Sequence, residues 1–268
     1  MKYLSEQNTE IVALVAGGAV FYVIVRIENL KPLPVIFQAP NTEAVIALLP
    51  LLIMLVFAVL IFRREKSLHN PAEQQNPSTY TFSKTSLQLL SSGLVLLPFA
   101  ITMIIRKQGL ATIYLSPYNL SASIVGGCIA GVVACAFFGR LSLRFWLTPS
   151  TFFMLIAQLG VSFCEEVIFR GYLLSRFSAW LGILEAGLIT AGIFALAHIP
   201  QRLSMGLSVR SLVIELGTLF LWGLIFNWIV WQTSNIAGLA IFHAILNTTE
   251  LSPRNHALMK SPPSIEAS

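Results

Sequence analysis

Long stretches without a single charge alternate along this chain with short polar stretches. Uncharged apolar runs near the ~20 residues needed to cross the hydrocarbon of a bilayer occur at Ala44 to Phe62, Leu87 to Ile105 and Leu120 to Phe138. A shorter run, Ile11 to Val25, ends at Arg26, whose long side chain can reach the interface, and it is read as a first span. A cleaved leader is the weaker reading there, because Lys2 is offset by Glu6 and Glu10 and no small-residue cleavage site follows. Four further runs carry polar residues inside an apolar frame: Thr151 to about Leu174, Trp180 to His198, Leu212 to Trp231, and a short Ile236 to Thr248. None of these runs alternates apolar with polar as barrel strands do. The pattern predicts an all-α integral membrane protein, a polytopic bundle of about eight transmembrane helices.

Composition agrees. Of 268 residues, 56% are hydrophobic and 11% charged, against about 25% charged in soluble domains, and the mean hydropathy is +0.76. The segment from Arg63 to Ser86 is the only long polar loop between spans. No internal repeat or low-complexity tract interrupts the remainder. The expected division is 1–149, N-terminal helices without motifs; 150–250, a catalytic helical core; and 251–268, a polar tail.

Eleven of the 17 basic residues, among them Lys2, Arg63, Arg64, Lys66 and Lys84, fall on one side if the spans alternate; Arg26, Lys31, Arg106, Lys107, Arg170 and Arg176 fall on the other. This bias predicts both termini in the cytoplasm, and the short loops and absence of retention signals point to a bacterial or archaeal plasma membrane. The net charge of +5 is spread over loops, and no basic helix with interleaved aromatics is present, so nucleic acid is not an expected partner. Phe145, Trp146, Trp180, Trp228 and Trp231 near span ends read as interfacial anchors. Cys128, Cys135 and Cys164 lie within spans and read as small buried residues, with no CxxC pair to suggest a metal.

Charges inside spans need a compensating reason, since each costs at least roughly 2.5–3.5 kcal/mol at bilayer depth. Glu165, Glu166 and Arg170 fall within six residues of the fifth span. Glu166 and Arg170 are four apart and share a helix face, so each can neutralise the other. Glu165 points about 100° away. The sixth span ends in FALAH, with Phe194 and His198 one turn apart, and the eighth carries HAILN, with His243 and Asn247 one turn apart. A carboxylate at low dielectric is a competent general base for water at cellular pH, and Glu165 fits that role. His198 can orient or share the same water, while His243 and the Asn247 amide are donor types suited to an oxyanion. Cys164 and Ser162 point in other directions and sit in no nucleophile elbow, so they read as packing residues. Two histidines and a glutamate are also zinc ligand types, although HExxH is absent.

EEVIFR at 165–170, FALAH at 194–198 and HAILN at 243–247 match in order and spacing the EExxxR, FxxxH and HxxxN motifs of the CPBP intramembrane protease family. That family includes type II CAAX prenyl endopeptidases and bacterial proteins linked to bacteriocin self-immunity. The match covers roughly 150–250. The resemblance implies that Glu165 activates water, Glu166 and Arg170 support the site, His198 shares the water, and His243 with Asn247 forms the oxyanion hole. It implies an intramembrane endopeptidase acting on a membrane-associated peptide, prenylated or not; family metal use being argued both ways, a glutamate-activated water with no required cofactor is the first choice. Zinc held by Glu165, His198 and His243 is the second choice. A non-proteolytic immunity or sensor-regulating protein, or a proton-coupled transporter on the same scaffold, is the alternative from a different class. Glu185 and Glu215 near helix starts, Asn227, and the GxxxG pair Gly127 and Gly131 are expected to serve the fold.

Overall fold

The computed structural model describes residues 2–35, 37–68, 81–139, 141–204 and 207–250. The centre of the long polar loop with His69, the residue Arg140, and the tail with Arg254, His256 and Lys260 lie outside the described residues. The described residues form helices α1 (Lys2–Ile27), α2 (Pro40–Leu68), α3 (Phe82–Ile105), α4 (Leu120–Phe137), α5 (Pro149–Leu181), α6 (Ile183–Ala197), α7 (Val209–Thr233) and α8 (Ala237–Glu250). Seven of these are long and apolar enough to span a membrane, counting α6 with the short helix Ile199–Ser204 that follows it; α8 is shorter. The polytopic helical bundle expected from the hydropathy pattern is the observed architecture.

Helix starts follow local chemistry. At α5 the Thr148 hydroxyl accepts the Thr151 N–H (3.3 Å) and Pro149 occupies the first turn, where its missing N–H costs nothing. Ser208 caps α7 in the same way. The boundary between α5 and α6 corrects one expectation: Trp180 belongs to the end of α5, not to the start of the sixth span. Gly182 makes the break, at φ +93, a conformation that a side-chain-bearing residue rarely adopts.

The centre of the bundle is a layer of close backbone contacts. α8 packs between α4 and α5, α4 also meets α1, and α6 pairs with α7. The GxxxG face of α4 makes this possible: a Cβ on Gly127 would overlap the Gly238 backbone, and one on Gly131 would meet Ile245. Small residues at such a crossing let two helices approach within backbone contact, the usual substitute in lipid for hydrophobic driving force. Asn227 on α7 donates to the Gly187 carbonyl (2.8 Å) and the Thr190 hydroxyl (2.9 Å) of α6. Cys135 and Cys164 are buried, but Cys128 faces outward on α4, contrary to the expectation for it; all three are free thiols.

α5 is not α-helical throughout. Between Glu166 and Leu173 it winds as a π-helix, and the Leu174 N–H reaches back five residues to the Phe169 carbonyl. The simple wheel used for the sequence therefore does not apply beyond Glu166. π-turns are rare and are found frequently at functional sites. Here Gly171 lies against the Ile113 backbone of a 3₁₀ turn, Leu110–Ile113.

Candidate active site

Three helices bring their polar side chains to one place. Glu165 Oε1 lies 3.9 Å from Nε2 of His198, at the C-terminal end of α6, and its Oε2 lies 3.7 Å from Nε2 of His243 on α8. The Glu165 side chain retains 25% exposure and His198 16%, whereas His243 retains 4%. The carboxylate is therefore reachable from outside the bundle while its histidine partners form the wall behind it.

The other ring nitrogens identify the tautomers. His198 Nδ1 is 2.8 Å from the Phe194 carbonyl, which can only accept, so Nδ1 carries the hydrogen. This is what the FxxxH spacing accomplishes: the residue one turn back supplies a backbone acceptor at the helix end. His243 Nδ1 is 2.8 Å from Glu166 Oε1, an oxygen that also receives Arg170 Nη1 at 3.3 Å. With Arg170 donating to the same oxygen, Glu166 acts as an acceptor and Nδ1 again donates. In their neutral forms both imidazoles thus turn a lone pair at Nε2 toward Glu165.

Glu166 and Arg170 are fully buried. The guanidinium lies 4.1 Å from the Phe194 ring centroid and 5.1 Å from that of Phe226, so aromatic faces take up the part of its charge that Glu166 does not meet. Trp222 and Phe226 pack edge-on against His243, with centroids 5.8 and 5.1 Å away. These contacts hold the imidazole in a dry slot.

Asn247 donates through Nδ2 to Gln158 Oε1 at 3.2 Å. The sequence reading passed over Gln158; its only signal was a buried amide two helical turns before the glutamates in an otherwise apolar run. The second N–H of Asn247 has no protein partner among the described residues. Arg202 and Glu215 form an ion pair at 3.5 Å, joining the segment after His198 to α7. Cys164 and Ser162 are buried and join none of these contacts with Glu165 or the histidines.

Chemically the site joins a partly exposed carboxylate, two imidazole nitrogens able to take a proton, and an amide donor, backed by a buried ion pair. No trio of His, Cys, Asp or Glu among the described residues is arranged as a metal site. Residues 145–249 match the family described as "Rce1-like: Type II CAAX prenyl endopeptidase Rce1-like". No curated protein and no solved structure matches the chain. The matched segment runs from just before α5 to the last turn of α8 and contains every residue of the constellation, so 145–249 is an Rce1-like type II CAAX prenyl endopeptidase family domain within a multi-pass membrane protein.

Proposed function

We propose that the protein is an intramembrane endopeptidase in which Glu165 activates a water molecule against a peptide bond of a membrane-associated substrate. The observation that carries this reading is the placement of the Glu165 carboxylate between two Nε2 atoms at 3.9 and 3.7 Å. Those separations exceed direct hydrogen bonds and suit one small bridging molecule.

Glu165 takes a proton from the water as its oxygen bonds to the scissile carbonyl carbon. The carbonyl oxygen becomes an oxyanion, which the second N–H of Asn247 stabilises, together with His243 where its Nε2 has taken a proton from solvent before the attack and keeps it throughout. On collapse, the C–N bond breaks and the leaving amine receives the proton stored on Glu165. His198, fixed by the Phe194 carbonyl, orients the water through Nε2. Glu166 accepts from Nδ1 of His243 and so holds the ring with Nε2 toward Glu165, and Arg170 fixes Glu166 in turn.

Zinc would draw on Glu165, His198 and His243, whose donor atoms are of the right type, and would supply Lewis-acid activation of the water. The family description supports a substrate that is a peptide near a lipid anchor, of the prenylated CAAX type or a functional equivalent.

The test is Glu165→Gln, which preserves shape and removes the base. Processing of prenylated reporter peptides, or of the uncut peptides that accumulate in membranes bearing the variant, should fall by at least roughly 100-fold. The thermal midpoint should stay near that of the parent. Full activity in the variant would overturn the assignment of the base; a binding protein or transporter would keep its phenotype.

A further inference from the structure

We propose that a second site, remote from the carboxylates, binds the phosphate of an anionic phospholipid headgroup. A cavity of about 340 Å³ opens where the last turns of α1 and α7 meet, lined by Tyr22, Arg26, Asn29, Trp228 and Gln232 among others. It lies at the Thr233 end of α7, whereas the ion pair near His198 involves the Val209 end.

Its construction starts with the chain reversal after α1. Asn29 adopts a left-handed conformation at φ +46, and the Leu30 N–H returns to the Val25 carbonyl at 3.1 Å, which folds residues 29 and 30 over the helix end. The Tyr22 and Trp228 rings stack at 6.3 Å with an interplanar angle of 26°, forming one wall. The Arg26 guanidinium rests 5.2 Å from the Tyr22 centroid and donates from Nε to the Tyr22 hydroxyl at 3.2 Å.

That single bond aims the fork. Nε is occupied, and the two terminal nitrogens have no partner among the described residues. No carboxylate lines the cavity. An exposed guanidinium with both Nη atoms available is built for a bidentate tetrahedral anion. Asn29 and Gln232 add neutral amides, donors that suit the same anion.

Position selects the form of the anion. The cavity sits at the end of two apolar spans, 8–27 and 209–233, where hydrocarbon gives way to headgroups. Tyr and Trp occupy this level because one part of each ring is apolar and the other polar. A phosphate tethered to a lipid enters from the side with its acyl chains left in the bilayer. With no acidic side chain to receive a choline or ethanolamine cation, a lipid of net negative charge is preferred.

Native mass spectrometry of the detergent-purified full chain tests this with phosphatidylglycerol, phosphatidylcholine and inorganic phosphate as probes. The parent should retain phosphatidylglycerol in preference to phosphatidylcholine, and Arg26→Gln should weaken phosphatidylglycerol retention roughly tenfold and erase the preference. Gln232→Leu, on the facing helix, should weaken it by a smaller factor. If Arg26→Gln fails to fold, the Gln232→Leu result decides. Equal retention of both lipids by the parent, or unchanged retention by the variants, overturns the proposal. Inorganic phosphate bound as tightly as the lipid overturns the membrane assignment in favour of a simple anion site. Arg26 makes no contact with the carboxylate–histidine constellation among the described residues, so peptide processing at a fixed lipid composition serves as the control for an intact fold.

Discussion

Two arginines six residues apart on α5 are both completely buried, yet they belong to different kinds of place. Arg170 meets Glu166 at 3.3 Å, and the same Glu166 oxygen holds His243, which faces the partly exposed Glu165. Arg176 reaches its counter-charge through a relay. It donates to the Tyr172 carbonyl at 2.9 Å and to Gln108 Oε1, and Gln108 donates to Glu43 at 2.6 Å. Glu43 is in turn paired with Arg106. The Arg176 guanidinium lies 3.5 Å from the Tyr172 ring centroid, with Phe37 on it at 5.1 Å. Its chain of contacts ends in a surface arginine and includes no histidine. A buried arginine therefore does not by itself mark chemistry. What distinguishes the first cluster is that its buried pair terminates on a group able to gain and lose a proton beside an accessible base.

The contrast can be broken by substitution. The largest combined effect is expected for Arg170→Met, which leaves the Glu166 carboxylate buried without its guanidinium. A loss of about 3–5 kcal/mol in unfolding free energy should accompany near-complete loss of processing, read together by denaturation and reporter cleavage. Arg176→Met should instead cost about 1–3 kcal/mol, from the stranded Gln108 and Tyr172 oxygens, while the folded fraction keeps its turnover per molecule. Equal losses of turnover in the two variants would erase the distinction between the clusters.

Finer tests address the site alone. Gln158→Leu removes the acceptor that positions Asn247 and should lower kcat about tenfold with KM little changed; a rise in KM alone would move Gln158 to substrate binding. The smallest expected effect is that of chelation: dialysis against a strong chelator should leave processing within about twofold, as expected if the water is activated by Glu165 alone. Loss on chelation with recovery on adding zinc would move Glu165, His198 and His243 from acid–base roles to ligation.

The spans and the identities of the motif residues were legible because hydropathy sums locally and the three motifs each occupy a single turn. The sixth span starts three residues later than expected, at Ile183 and not Trp180, because an apolar run cannot show where a glycine at positive φ will break it. Arg176 was read as a loop cation. It is buried because α5 extends to Leu181, beyond the expected end near Leu174. Gln158 stayed unread because its partner is 89 residues away.

Taken alone, the order of residues determined that this protein lives in lipid as about eight helices and that acids, imidazoles and amides are carried on three of the last four. It could not determine which nitrogen of each histidine faces the base, that Glu166 and not Glu165 grips His243, or that α5 unwinds into a π-turn next to both. Those outcomes depend on the rotation and depth of separate rods. Backbone contacts between Gly127 and Gly238, more than 100 positions apart, fix them in the bundle.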